Sequence, residues 1–475
     1  MPKETIAGGR FGMNGVEVFV TAGLGDNSYL VSSEGEAAVV DPQRDAWHFL
    51  RAADTKGVRI RAVLETHVHN DYVSGAHELR AATGAELVVP AKGRYQFPHR
   101  PAADGHEVRI GDLRLVALAT PGHTPEHLAW LVYQGDATTP SAVFTGGSLL
   151  VGSAGRTDLL GPELAGELTK AQFASIRKLG ALPDEVEVLP THGAGSFCVA
   201  AMPATRRTTT IAEERRENFL FRAADLASFD EELRGELLAY PAYYRHMAPL
   251  NRAGAEVLGG LPQVPAVGPE ELSAQGRAGA LIVDARDRGD FAAAHIPGSV
   301  NIELNAGFAS YIGWMLPFDD PLLLVLPDQG DRSLEEAVTQ LVRIGWRHVE
   351  GWLAGGIGAW RASGGELRSY PCGGVKELCD AVLAGKAPRV LDVRQELEWQ
   401  WGAIPGSEQV FLADLPAHLS RLSPDEVHWV VCSNGHRASI AASLLDRVGI
   451  PVRLVGMGGV GEWRARCRQA LAQAG

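Results

Sequence analysis

One short stretch decides the fold of this chain: Glu65-Thr66-His67-Val68-His69-Asn70-Asp71-Tyr72. It follows residues 58–64, whose first five residues alternate apolar and charged side chains as a half-buried strand does. The stretch therefore lies in a loop just past the end of a strand, a common place for functional residues. Two histidines one residue apart, with an aspartate two residues further on, can converge on one metal ion from a single turn. We predict a metal site at this turn.

The composition is that of a globular protein of about three domains, taking roughly 150 residues for each. The chain has 475 residues, of which 45% are hydrophobic and 21% are charged. Its net charge of −13 argues against nucleic acid or an anionic membrane as the main partner. No apolar run approaches the roughly 18 residues that span a bilayer, and the first residues lack the apolar core of a signal peptide. We expect a cytoplasmic protein.

The cysteines are too few and too widely spread for a disulfide framework. We therefore expect reduced thiols at all five positions, at least one of them a candidate for catalysis. The positions are Cys198, Cys372, Cys379, Cys432 and Cys467.

Further motifs follow the histidine turn in a characteristic order. They are Pro121-Gly122-His123-Thr124-Pro125-Glu126-His127, Val143-Phe144-Thr145-Gly146-Gly147-Ser148, Gly155-Arg156-Thr157-Asp158 and Leu189-Pro190-Thr191-His192-Gly193-Ala194-Gly195-Ser196-Phe197-Cys198. Short strands alternate with surface helices around them. This half of the chain resembles the metallo-β-lactamase superfamily, which implies an αββα sandwich. It departs from the superfamily pattern His-x-His-x-Asp-His at Tyr72, which stands in place of the last histidine.

Within that superfamily, the His123 loop and the Gly-Arg-Thr-Asp run look like the persulfide dioxygenase branch. The resemblance implies one iron ion held by His67, His123 and an aspartate, a two-histidine-one-carboxylate set with open positions for oxygen and substrate. The aspartate is missing, because Gly147 stands in its place. We therefore predict one mononuclear metal ion, with Fe(II) favoured and zinc as the alternative.

Three substitutes for the missing aspartate ligand are possible. His69 joins His67 and His123, Asp71 supplies the carboxylate, or water alone fills the gap. We rank the set of His67, His123 and His69 first. The alternative is that the clustered histidines only form hydrogen bonds.

Three other histidines are given lesser roles. His192 matches a second-metal ligand of the superfamily and is expected to line the pocket. His127 is expected to be structural, and His106 to lie on the surface. Because Tyr72 and Gly147 both remove ligands that a two-metal hydrolase needs, we expect no second ion and disfavour glyoxalase II-like thioester hydrolysis.

The second half of the chain contains an internal repeat. The two copies run from 267 to 364 and from 374 to 475, after a first domain at 1–258 that ends in charged helices expected to pack on it. Residues 281–286 match 390–394, and residues 295–298 match 403–406. Alternating strand and helix patterns predict a parallel sheet in each copy. These features resemble rhodanese domains.

The copies differ at one loop. The second has Cys432-Ser433-Asn434-Gly435-His436-Arg437 between a buried strand and a helix. Backbone N–H groups at a helix N-terminus, with Arg437 and His436, favour the thiolate that attacks sulfur. We predict Cys432 and Arg437 as catalytic residues and Ser433, Asn434, Gly435 and His436 as substrate-binding residues. An inert buried thiol is the alternative.

The first copy has Pro327-Asp328-Gln329-Gly330-Asp331-Arg332 at the matching place. Proline offers neither a nucleophile nor an N–H group, and the aspartates oppose an anionic sulfur. We expect this module to be inactive and to act as a scaffold.

The whole chain resembles a persulfide dioxygenase fused to an inactive and an active rhodanese, which implies sulfide detoxification. The substrates implied are a low-molecular-weight thiol persulfide and thiosulfate. The sequence leaves the oligomeric state open, and the resemblance makes a homodimer one possibility, since this fold family often dimerises. Two alternatives are a sulfurtransferase whose first domain only binds persulfide, and a mononuclear zinc hydrolase. Cys198 either holds sulfur near the metal pocket or is a buried structural thiol.

Overall fold

The computed structural model describes residues 15–200, 206–235, 237–328, 331–386 and 388–474. The chain forms two compact units, one of residues 1–262 with 339–345 and one of residues 263–338 with 346–475. Within the described ranges, no helix is long and apolar enough to cross a bilayer.

The first unit is built on two six-stranded sheets. One sheet has the order β1 to β6, and its strands are β1 Val16–Thr21, β2 Asp26–Ser33, β3 Glu36–Val40, β4 Arg59–Leu64, β5 Glu86–Pro90 and β6 Arg100–Ala102. The other has the order β12-β11-β10-β9-β8-β7, and its strands are β7 Glu107–Ile110, β8 Leu113–Ala119, β9 Leu128–Gln134, β10 Ala142–Gly146, β11 Glu187–Pro190 and β12 Thr209–Thr210.

Helices accompany both sheets of the first unit. They are α1 Trp47–Lys56, α2 Ala76–Thr83, α3 Pro162–Gly180, α4 Ile211–Glu217, α5 Leu226–Arg234 and α6 Tyr244–Ala253. The charged segment after residue 208 therefore forms helices, as the sequence predicts.

Three apolar clusters hold the layers of the first unit together. Tyr29 and Trp130, one from each sheet, belong to the central cluster between the sheets. Alternate residues of the same strands point outward: Val63 of β4 packs with Phe49 of α1. Ile176 of α3 packs with the outer face of the other sheet. The layers are helix, sheet, sheet and helix, which confirms the predicted αββα sandwich.

The second unit contains two five-stranded sheets of the same topology. Their orders are β13-β17-β16-β14-β15 and β18-β22-β21-β19-β20, and every recorded strand pair in them is parallel. The strands are β13 Ala266–Val267, β14 Leu281–Asp284, β15 Val300–Asn301, β16 Leu322–Val325, β17 Val349–Leu353, β18 Cys372–Gly374, β19 Arg389–Asp392, β20 Glu408–Gln409, β21 His428–Val431 and β22 Val452–Met457. The matching order confirms the internal repeat.

Ten helices follow in residues 263–474. They are α7 Pro269–Arg277, α8 Arg288–Ala293, α9 Phe308–Met315, α10 Asp331–Arg343, α11 Gly356–Ala362, α12 Val375–Leu383, α13 Glu396–Gln400, α14 Leu415–His418, α15 His436–Arg447 and α16 Val460–Ala474. We call residues 267–364 the first rhodanese module and residues 374–474 the second.

One cysteine pair departs from the sequence prediction. Cys379 of α12 and Cys467 of α16 form a disulfide whose Cα atoms are 5.7 Å apart. The expectation of five reduced thiols is therefore wrong for this pair. The two residues are 88 positions apart, and only the packing of α12 against α16 brings them together. Cys198, Cys372 and Cys432 are free.

Candidate metal centre and sulfur-transfer loop

The histidine turn begins where β4 ends, as predicted, and it is fully packed inside the first unit. His67 is 1% exposed, and His123 and His192 are inaccessible. One ligand atom from each of these three histidines lies within 4.8 Å of the others. The structure therefore brings together side chains that are 125 residues apart in the chain.

The hydrogen bonds of the three rings fix which nitrogen faces the centre of the group. Thr66 Oγ1 donates its one proton to Asp41 Oδ2 at 2.7 Å, so His67 Nδ1, at 2.8 Å, donates to Thr66 Oγ1. His123 Nδ1 donates to the Arg156 carbonyl at 2.8 Å. His192 Nδ1 lies 2.8 Å from Asp26 Oδ1. Each Nδ1 is thus engaged outside the group.

The Nε2 lone pairs consequently meet in the middle. His67 Nε2 and His192 Nε2 are 3.4 Å apart, and His123 Nε2 has no hydrogen-bond partner among the described residues. Burial, with the neighbouring imidazoles, lowers the pKa of His67 and His123 well below the usual range. Two nitrogens bound at about 2.0–2.1 Å to one tetrahedral ion lie roughly 3.4 Å apart. The donor set fits a metal ion.

His69 has a different environment. Its Nε2 lies 2.9 Å from Glu65 Oε2 and 3.3 Å from Asp41 Oδ1, and Tyr72 Oη is 3.1 Å away. Burial lowers the pKa of His69, but the two carboxylates outweigh it and hold the pKa well above the usual range. The Nε2 atom of His69 is thus engaged by carboxylates, while its Nδ1 has no hydrogen-bond partner among the described residues. His69 belongs to two other groups of possible ligands. One group contains Asp41 and His67, and the other contains Asp71 and His192.

Gly147 leaves no room for the missing carboxylate. A Cβ atom at this position would lie 2.3 Å from His123 Cδ2 and 2.9 Å from His123 Nε2. The Gly147 N–H donates to His127 Nε2 at 3.0 Å, which gives His127 the structural place expected of it. No side chain fits at 147 while His123 occupies this position.

Asp71 lies behind His192. Its Oδ2 is 3.3 Å from His192 Nδ1. Burial raises the pKa of Asp71 to about 7 and that of Asp26 to about 8. Burial and these two carboxylates also raise the pKa of the Cys198 thiol well above its usual range. This environment opposes a thiolate at Cys198 and favours the buried structural role.

Sequence reasoning missed Asp41, which organises the turn. Its carboxylate accepts hydrogen bonds from the Thr66 N–H at 2.7 Å and from the Thr66 and Thr191 hydroxyls. It also faces His69. Asp41 directly follows β3 and has a positive φ of 49°. Its position at a strand end beside the strand that carries the histidines was the available signal.

A cavity reaches His67 and His69 from the side of α2. Its lining combines Glu65 and His77 with the aromatic rings of Tyr95 and Phe97.

The Cys432 loop lies at the end of β21, and α15 begins at His436 immediately after it. The thiol is inaccessible to solvent, and the Gly435 N–H donates to Cys432 Sγ at 3.1 Å. Gly435 has a φ of 93°, a conformation that glycine adopts without strain. The loop thus directs a backbone N–H at the sulfur, as the helix N-terminus predicts.

Arg437 is paired with a carboxylate and is not an isolated charge. Its guanidinium forms a two-pronged pair with Glu398, at 2.5 and 2.8 Å, and donates to Ser433 Oγ at 2.9 Å. The pair holds Ser433 in the loop. Glu398 was missed by sequence reasoning. His436 Nδ1 faces Glu303 Oε2 of the first module at 2.9 Å.

The matching loop of the first module is described only in part. Pro327 and Asp328 follow β16, and α10 begins at Asp331, while Gln329 and Gly330 lie outside the described residues. By strand register Leu326 matches Cys432, because Val325 pairs with Asp284 as Val431 pairs with Asp392, and Pro327 comes one residue later.

Comparison with known proteins identifies the parts of the chain. The model of the metallo-beta-lactamase superfamily matches residues 22–192, and that of the rhodanese-like domain matches 268–363 and 375–466. A hydroxyacylglutathione hydrolase of Methylobacillus flagellatus is 32% identical over 216 residues, 45% of this chain and 80% of the relative. That of Methylococcus capsulatus is 34% identical over 243 residues, 49% of this chain and 85% of the relative.

Solved structures extend the similarity. A metallo-beta-lactamase from Staphylococcus aureus aligns with a TM-score of 0.64 and 28% identity, over 72% of this chain and 99% of that one. ETHE1 from Myxococcus xanthus aligns with a TM-score of 0.44 and 28% identity, over 50% of this chain and 98% of that one. The fold, the buried histidine group, the two family models and the relatives of 32% and 34% identity lead to one conclusion: the chain belongs to the metallo-β-lactamase superfamily, and two rhodanese-like domains follow its metal-binding domain.

Proposed function

We propose that the chain is a sulfurtransferase that carries sulfane sulfur on Cys432. The observation that carries this proposal is the Gly435 N–H directed at Cys432 Sγ from 3.1 Å, at the start of the twelve-residue helix α15. Backbone N–H groups and the positive end of a helix stabilise an anionic sulfur. Arg437 and Ser433 hold the same loop in place.

The reaction needs no external oxidant. The Cys432 thiolate attacks the outer sulfur of thiosulfate, a new S–S bond forms, and sulfite leaves with the electrons of the broken S–S bond. A thiol persulfide reacts in the same way and releases its thiol. An acceptor such as cyanide or sulfite then attacks the outer sulfur and leaves with it, which restores the Cys432 thiolate.

Mass spectrometry of the full chain tests this proposal. After incubation with thiosulfate, the peptide that contains Cys432 should gain the mass of one sulfur atom, and cyanide should remove it with formation of thiocyanate. The peptides of Cys198 and Cys372 serve as internal controls. Sulfur on either control peptide, with none on Cys432, would contradict the assignment.

For the metal-binding domain, we propose oxidation of a low-molecular-weight thiol persulfide by dioxygen. In balance, the persulfide, dioxygen and water give the thiol and sulfite, and sulfite is an acceptor for the sulfur on Cys432. His67, His123 and His192 would hold the ion, and Fe(II) would supply the activation of dioxygen. The convergence of the three Nε2 lone pairs supports this choice of residues, in which His192 replaces His69.

The domain's own residues have separate tasks. Thr66, Arg156 and Asp26 orient the three imidazoles through their Nδ1 atoms, and such partners fix both tautomer and direction. The ion pair of His69 with Glu65 and Asp41 holds the turn rigid. The rings of Tyr95 and Phe97 line the cavity beside His67 and His69.

Metal analysis of variants tests the ligand set. His123→Ala and His192→Ala should lose the bound metal, whereas His69→Gln should retain it. His106→Ala, outside the histidine group, is the control. Retention of metal by His192→Ala together with its loss by His69→Gln would restore the set of His67, His123 and His69.

Hydrolysis of a glutathione thioester is the second candidate, because the curated relatives are named hydroxyacylglutathione hydrolases. A three-histidine set also suits zinc with an open position for water. Oxygen uptake by iron-loaded protein on addition of glutathione persulfide, compared with thioester cleavage by zinc-loaded protein, separates the two. Cleavage without oxygen uptake would favour the hydrolase.

A further inference from the structure

The loop that holds Cys432 contacts the first rhodanese module as well as its own. Arg288, the first residue of α8, donates from Nη1 to the Asn434 carbonyl at 2.8 Å and to the Gly456 carbonyl at 3.3 Å. Asn434 is the residue between the Cys432–Ser433 pair and Gly435. A side chain of the first module thus holds the middle of the loop in the second.

Arg288 is itself held by Glu303. Its Nε donates to Glu303 Oε1 at 2.8 Å, its Nη2 lies 2.7 Å from Glu303 Oε2, and its own backbone N–H donates to Glu303 Oε1 at 2.9 Å. The Glu303 side chain is only 9% exposed. An arginine fixed at three points keeps little rotamer freedom, so its free end has a defined direction.

Glu303 also reaches the other end of the loop. Its Oε2 lies 2.9 Å from His436 Nδ1, and His436 is the first residue of α15. Asn305 and the ring of Tyr311, both in the first module, contact the same imidazole, with the Tyr311 ring centre 4.7 Å away. The first module therefore holds the loop at two points, the Asn434 carbonyl and the His436 ring.

Gly435 lies between these two points, and the surrounding atoms leave no space for a side chain there. A Cβ atom on Gly435 would lie 2.3 Å from Arg288 Nη1 and 2.3 Å from the Gly456 carbonyl oxygen. The same residue directs its N–H at Cys432 Sγ. Because Arg288 packs against Gly435, a shift of Arg288 changes the packing that directs the Gly435 N–H.

We propose that Arg288 and Glu303 of the first rhodanese module are positioning residues for sulfur transfer at Cys432. They form one clamp that holds the carbonyl of Asn434 and the ring of His436, so that the Gly435 N–H stays directed at the sulfur. The inference rests on the proposed sulfurtransferase function. It gives the module without a cysteine a defined task in the reaction of its neighbour.

Kinetics of the full chain test the clamp. Arg288→Ala and Glu303→Gln should each lower kcat/KM for thiosulfate, by up to about 100-fold if the loop shifts by roughly 1 Å. Because both residues act through one clamp, the double variant should be no slower than the slower single variant. Arg288→Lys, which keeps the charge but not the planar fork, should recover part of the loss. Arg277→Ala, an exposed arginine of the same module, is the matched control.

Hydrogen exchange provides a measurement that does not depend on activity. The peptide that contains residues 432–437 should exchange faster in Arg288→Ala than in the unmodified chain. The control Arg277→Ala should unfold at the same temperature as the unmodified chain. Losses that multiply in the double variant, or single variants as active as the control, would overturn the clamp.

The outcomes also separate the clamp from the function. An unmodified chain that forms no thiocyanate from thiosulfate and cyanide refutes the sulfurtransferase proposal. Unchanged exchange in the 432–437 peptide of Arg288→Ala refutes the clamp whether or not the chain is active.

Discussion

The two rhodanese modules have the same scaffold and different loops. In the first, Arg286 pairs with Asp284 through bonds of 2.9, 3.1 and 2.6 Å. In the second, Arg394 pairs with Asp392 through bonds of 2.9, 3.1 and 2.7 Å. Both aspartates are inaccessible to solvent and end the first strand after the module's opening helix. The buried pair therefore belongs to the fold and not to the chemistry.

The difference lies at the end of the next central strand. Leu326 and Pro327 follow β16 in the first module, whereas Cys432 directly follows β21 in the second. Proline supplies neither thiol nor N–H, while the second loop supplies both in one turn. The two modules thus share one fold and differ in the chemistry that a single loop offers. In the clamp proposed above, the module without a cysteine holds its neighbour's loop through Arg288.

The largest effect is expected at the nucleophile. Cys432→Ser should lower thiocyanate formation from thiosulfate and cyanide by on the order of 10³-fold or more, since removal of a nucleophile abolishes the covalent route. Cys372→Ser, which changes an exposed free thiol just before the second module, should retain activity. Residual activity in Cys432→Ser close to that of the unmodified chain would remove the distinction between the modules.

The next largest effect is expected from breaking the buried aspartate–arginine pair that each module contains. Asp392→Asn and Asp284→Asn should each lower the free energy of unfolding by about 3–5 kcal/mol, because each leaves a buried guanidinium without its carboxylate. The measurement is urea-induced unfolding of the full chain followed by tryptophan fluorescence. Equal losses are expected in the two modules. A much smaller loss in one of them would show that the scaffolds are not equivalent.

A smaller effect is expected from acid. Burial raises the pKa of Glu303, but the bonds from His436 and Arg288 outweigh it and lower the pKa to about 2. Since the folded pKa lies below the usual value near 4.5, the carboxylate stabilises the fold above that pH, and the contribution is lost as pH falls toward 2. The urea midpoint of Glu303→Gln should therefore lie below that of the unmodified chain at pH 7, and the gap should close in acid.

Glu366→Gln, at an exposed position two residues beyond the first module, is the control for this measurement. Its urea midpoint should follow that of the unmodified chain at every pH. If the difference in urea midpoint between Glu303→Gln and the unmodified chain stays constant from pH 7 to acid, the ionic role of the carboxylate is contradicted.

The smallest effect is expected from giving the first module a cysteine. Pro327→Cys, placed in the Cys432→Ser background, should restore no measurable thiocyanate formation. Asp328 next to it repels both a thiolate and an anionic sulfur donor. Restored activity would show that the residue at 327 alone separates the two modules.

Local patterns predicted much of this protein. The alternation of residues 58–62 indicated β4, and the order of motifs from His67 to His192 indicated the sandwich. The match between residues 281–286 and 390–394 indicated the repeat. These features are short-range or repeated in sequence, so periodicity and spacing reveal them.

Packing decided what lies far apart along the chain. Three features have no mark in the sequence: the contact of Glu65 with His69, that of Glu398 with Arg437, and the disulfide between Cys379 and Cys467. Such partners are chosen by the packing of the layers and not by spacing along the chain. The same holds for the choice of His192 over His69 that we propose.

The sequence by itself determined that a His-x-His turn follows a strand, that Gly147 offers no carboxylate and that Cys432 precedes a helix. Only the tertiary structure decided where the imidazole lone pairs point and which residues orient them. It also placed Arg288 and Glu303 at the Cys432 loop. The physical reason is that residue identity fixes the chemistry a side chain offers, whereas its direction and charge depend on the hydrogen bonds and burial that distant segments provide.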